Sequence, residues 1–77
     1  MKKWEISNGE NTIVVENSAN GERLYVNGEL QDEQMGLASR SRLWGRLPTG
    51  ETIKVSIGGD LKVQCRIFID NKLVLSE

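Results

Sequence analysis

Histidine is absent from this 77-residue chain, and cysteine, proline, tyrosine and phenylalanine occur once each. Each shortage removes a class of chemistry. Without histidine, neither a Ser-His-Asp nor a Cys-His arrangement can be built. With Cys65 as the lone cysteine, an intrachain disulfide is impossible, and a structural zinc site lacks its usual ligands. No cofactor or metal is therefore expected. No apolar run approaches the ~20 residues of a membrane-spanning helix. The opening Met-Lys-Lys-Trp-Glu is not followed by the apolar stretch of a secretory signal. Together with the single thiol, this leads to the expectation of a cytoplasmic protein that does not enter membranes. Acids and bases nearly balance at a net charge of −1, which argues against wholesale nucleic-acid binding.

What is present is alternation. Trp4 and Ile6, Ile13 and Val15, Leu24 and Val26, and Ile53, Val55 and Ile57 are spaced by two, as residues on one side of a strand are. The longest such run is Leu61, Val63, Cys65, Ile67 and Ile69. Turn signals separate these runs at Asn17–Gly21, Asn27-Gly28, Pro48–Gly50, Gly58–Asp60 and Asp70-Asn71. Asn-Gly favours a type I′ hairpin turn because both residues tolerate positive φ. No segment sustains a 3.6-residue period. Residues 30–39 break the alternation and read as a loop or a short helical turn. The pattern predicts one all-β domain over residues 1–77, an antiparallel β-sandwich of six to eight short strands, with a small β-barrel as the alternative.

Several stretches invite comparison with a family. Trp4 followed by Asn8-Gly-Glu-Asn11, the segment Arg23-Leu-Tyr-Val-Asn-Gly-Glu29, and the pair Glu51–Gly58 and Cys65–Lys72 resemble the β-sandwich domains of the Fas apoptotic inhibitory molecule. The likeness runs from Trp4 to Val74 and is weaker over Gln31–Arg42. It implies an eight-stranded antiparallel sandwich with no catalytic site and a binding or protective role. It carries over no partner and no role for Arg40, Arg42 or Arg46.

The residues themselves point to one surface. In a strand, Arg40, Arg42, Trp44 and Arg46 project from one side, while Leu43 and Leu47 enter the core. Three guanidinium groups beside an indole suit a carboxylate, a phosphate or a stacked base. Lys54 and Lys62 extend this surface if their strands are neighbours. Two bland readings stand beside it: arginine stems covering Trp44 on a solvated face, or Trp44 turning inward through a bulge at Gly45. By the same parity Val14, Tyr25, Phe68 and Val74 face outward, either as a patch for a partner or homodimer or as core beneath a second sheet. Cys65, between Val63 and Ile67, reads as a small core residue. Asp32-Glu33 beside Glu29 reads as solvated carboxylate. Gly58-Gly59 lacks the residues of a phosphate loop.

The resulting expectation is a non-enzymatic module that binds another protein, with Arg40, Arg42, Trp44, Arg46, Tyr25 and Phe68 as contact residues. The alternative is a small barrel that binds single-stranded nucleic acid through the arginine-tryptophan strand. A hydrolase acting through carboxylates alone has nothing in the spacing to support it.

Overall fold

A computed structural model describes residues 1–36, 40–59 and 62–77 of the chain. They form eight antiparallel strands: β1 (Lys2–Asn8), β2 (Asn11–Ser18), β3 (Gly21–Val26), β4 (Glu29–Met35), β5 (Arg40–Arg46), β6 (Thr52–Gly58), β7 (Gln64–Ile69) and β8 (Lys72–Ser76). Two four-stranded meanders result, β1-β2-β3-β4 and β5-β6-β7-β8, packed as a sandwich rather than closed as a barrel. The expected strand at Leu61–Ile69 begins only at Gln64, and Asp60 and Leu61 lie outside the described residues.

The alternating apolar residues meet between the sheets. Trp4, Ile13, Val15, Leu24 and Val26 come from the first sheet. Leu43, Ile53, Val55, Ile57, Cys65, Ile67 and Ile69 come from the second, with Leu47 just beyond β5. Each lies at a period-two position, so burial of one side of each sheet fixes the pairing register. Among the described residues, polar side chains enter the interior at one place. Glu22 on β3 and Ser41 on β5 are both buried, and the Ser41 hydroxyl donates to the Glu22 carboxylate across the sandwich. Asn17 donates to the other carboxylate oxygen at 2.9 Å.

The two meanders are variations on one unit. β2 and β6 both contain Thr-Ile-x-Val, with Ile13, Val15, Ile53 and Val55 fully buried. β3 and β7 both run into a two-residue turn with positive φ throughout: Asn27 (52°) and Gly28 (82°) in the first, Asp70 (48°) and Asn71 (67°) in the second. In each unit the first turn residue is tied to the threonine. The Thr12 N–H donates to Asn27 Oδ1 and the Thr52 N–H to Asp70 Oδ1, both at 2.9 Å. The N–H groups of Asn27 and Asp70 return hydrogen bonds to the same threonines' carbonyls. Both units also shift register at the same step, at Leu24/Tyr25 and at Ile67/Phe68. The shift leaves Gln31 on β4 and Val74 on β8 without a partner, as a β-bulge does.

That bulge decides how the sheets join. Of residues 30–39, expected to be a loop or helical turn, 30–35 instead belong to β4, an edge strand with few apolar residues to announce it, and 37–39 lie outside the described residues. The bulge turns Gln31 toward β5, where its amide mimics a rung of backbone ladder: Nε2 donates to the Arg46 carbonyl at 3.1 Å, and the Arg46 N–H donates to Oε1 at 2.8 Å. Asp32 accepts the Trp44 N–H at 2.9 Å. The edge of β5 is thereby occupied by side chains of the other sheet, which answers the exposure problem of edge strands. In the second unit Val74 stands where Gln31 does. β8 is an edge strand on which Leu73 and Val74 are exposed.

Candidate functional site: a cationic outer face

β5–β8 contain no aspartate or glutamate. Their outward positions form rows read directly from the strand register. Arg40 lies opposite Gly58, which lies opposite Gln64. The next row is Arg42, Ser56 and Arg66, ending at Ser76 on β8. The third is Trp44, Lys54 and Phe68. Arg46 and Thr52 close the face. Five cations therefore share one side of the second sheet. The described acids nearest in sequence, Glu51, Asp70 and Glu77, all fall in turns or at the end of the chain. Among the described residues the one ion pair is Arg23–Glu33, on the other sheet.

The outer side of the first sheet is built differently. Lys3, Glu16, Arg23 and Glu33 form a row of alternating sign, the usual arrangement of a solvated surface. Tyr25 stands here, opposite Val14 and half-buried. It does not share a surface with Arg40, Arg42, Trp44 and Arg46, so the contact residues expected from sequence divide between two faces. Asp32 and Glu33 also have structural partners, the Trp44 amide and Arg23 respectively.

Within the cationic face, Trp44 is 52% exposed and does not turn inward. Gly45 continues the β5–β6 register without a bulge. It is glycine because of crowding: a Cβ there would approach Gln31 Oε1 to 2.7 Å and Leu24 Cδ2 to 2.9 Å. The smallest residue on β5 thus admits the Gln31 amide that holds Arg46 in place. Phe68 is half-buried, with the Lys54 ammonium 4.7 Å from its ring centroid, close enough for a cation–π contact. Lys54 joins the face as the sequence suggested. Lys62 lies in the β6–β7 connection, outside the ladder.

Two residues belong to the face that the sequence reading left out of it, Arg66 and Ser56. Both sit at outward positions flanked by core residues, so parity placed them outside. The signal that would have joined them to the arginines is the distribution of acids. Residues 1–39 hold seven acids and three bases, and residues 40–77 hold four acids and seven bases. A net charge near zero conceals a polarised chain.

Cys65 lies on the inward side of β7, fully buried. Burial, and then the nearby Glu77 carboxylate, push its thiol from the usual 9.0 up to about 12. It has neither the access nor the thiolate character of a nucleophile. No group of carboxylates, thiols or imidazoles that could hold a metal ion occurs among the described residues.

The fold and face define a two-sheet antiparallel β-sandwich with one open cationic surface whose strands carry no acid, the Asp32 carboxylate of β4 standing at its β5 edge. Comparison with protein-family models, curated proteins and solved structures gives no match to this chain.

Proposed function

We propose that this chain is a non-enzymatic binding module whose β5–β7 face receives an acidic segment of a protein partner. The observation that carries the reading is the collection of Arg40, Arg42, Arg46, Lys54 and Arg66 on strands without a single acid. Clustered cations of one sign repel one another and gain little from surface packing alone. An anionic partner removes that repulsion and is steered toward the face. The exposed indole of Trp44 supplies the aromatic anchor that interface hot spots favour. The resemblance to the sandwich domains of the Fas apoptotic inhibitory molecule supports a binding role over an enzymatic one.

The test uses a fluorescein-labelled polyglutamate peptide. Binding that weakens as salt rises, and is lost in Arg42→Glu/Lys54→Glu with the thermal midpoint largely retained, is the expected result. Equal binding by the charge-reversed protein overturns the reading. Single-stranded nucleic acid is a second reading, favoured by Trp44 standing beside Lys54 and between arginines on an open sheet. It requires tight, steeply salt-dependent binding to mixed oligonucleotides that Trp44→Ala weakens. No binding at low salt removes it.

A further inference from the structure

The cationic face is not uniform. At its centre the floor drops, because β6 carries only Ser56 and Gly58 between strands bearing long cations. Ser56 lies directly between Arg42 on β5 and Arg66 on β7, and Gly58 lies between Arg40 and Gln64. Two adjoining depressions of about 280 and 210 Å³ result, and both are lined by Ser56 and Arg66. Arg40 borders the first, and Arg42 and Lys54 border the second.

Resting on the reading of this face as the partner-binding surface, we propose that Arg42, Ser56 and Arg66 form a subsite for the phosphate of a phosphorylated serine or threonine in the bound protein segment. The Arg42 and Arg66 backbones stand two strand spacings apart, roughly 9.5 Å. Guanidinium forks raised from the two sides can therefore close on one tetrahedral anion between them, each donating in pairs to its oxygens. The Ser56 hydroxyl on the floor offers a further donor. A phosphomonoester carries about −1.5 to −2 charges and three acceptor oxygens, which matches several converging cations. A carboxylate is planar and is satisfied by one fork. A nucleotide shares the phosphate chemistry, and the exposed Trp44 two residues from Arg42 offers its base a platform, so adenosine monophosphate serves as the competing ligand in the test.

The experiment compares three labelled peptides identical except for one position: phosphoserine, glutamate or serine. The phosphoserine form is expected to bind about tenfold tighter than the glutamate form. Arg66→Lys keeps the charge and removes the fork, and Ser56→Ala removes the floor donor. Each is expected to reduce phosphopeptide affinity more than polyglutamate affinity, which narrows that gap. Equal affinity for the phosphoserine and glutamate peptides, with both variants silent, overturns the subsite while polyglutamate binding still upholds the face. Failure to bind polyglutamate as well as the phosphopeptide sinks both readings. Displacement of the phosphopeptide by an equal concentration of adenosine monophosphate reassigns the clamp to nucleotides and overturns the protein-segment proposal.

Discussion

Cys65 shows how one inward position determines chemistry. In the unfolded chain its thiol ionises near its usual 9.0, whereas in the fold it holds its proton up to about 12. Stability from the buried neutral thiol is therefore full below pH 9 and is lost as pH rises through 12, because the unfolded state releases the proton first. Unfolding free energies measured by urea titration are expected to fall less steeply across this alkaline range in Cys65→Ala than in the parent chain. Parallel pH profiles would count against the assignment. At neutral pH the native thiol is expected to resist a thiol-specific reagent until denaturant is added. Parity alone assigned Cys65 to the core, since Val63 and Ile67 flank it at the same spacing. Parity also sent Arg66 outward, but a single strand cannot say which strands lie beside it. Arg66 joins Arg42 only through the central strand β6.

At the scale of the element, β4 and β5 are interdependent. β4 was the strand least legible in the sequence, because Glu29–Met35 is an edge strand with polar residues on both sides and no core face to impose alternation. Its job is done by Gln31 and Asp32, whose side chains take the place of backbone along β5. Gly45 makes room for this contact. Gly45→Ala is expected to destabilise the protein by about 1–3 kcal/mol through overpacking against Gln31 and Leu24. In a Gln31→Ala background the cost of the same substitution should shrink, since one of the two obstacles is gone. Denaturant melts of the four proteins in this cycle measure the coupling. Full additivity would show that Gln31 does not set the need for glycine.

At the scale of the whole molecule, the charge is sorted by sheet. The first sheet alternates signs on its outer side, and the second presents cations alone. The two tryptophans report on this asymmetry, because Trp4 is buried at 5% exposure and Trp44 stands in the cationic face. In Trp4→Phe, the fluorescence of Trp44 is expected to be quenched strongly by iodide, which the face attracts, and weakly by caesium, which it repels. High salt should bring the two closer as the field is screened. Equal quenching at low salt would mean that the arginines and Lys54 do not act together at the indole.

The class of fold was legible in the sequence because alternation and turn chemistry are local. Ile13, Val15, Ile53, Val55, Cys65 and Ile67 need only a pleated strand with one side in the core, and Asn27-Gly28 and Asp70-Asn71 need only their own backbone preferences. The single arginine-tryptophan strand was legible for the same reason. The tertiary structure decided what lies beside what. It set Arg66 and Ser56 next to Arg42, separated Tyr25 from that group, and made a strand of Glu29–Met35. These outcomes depend on which strands become neighbours and where the bulge falls, and contacts between residues distant in sequence carry no local signature. The cationic face is their joint product.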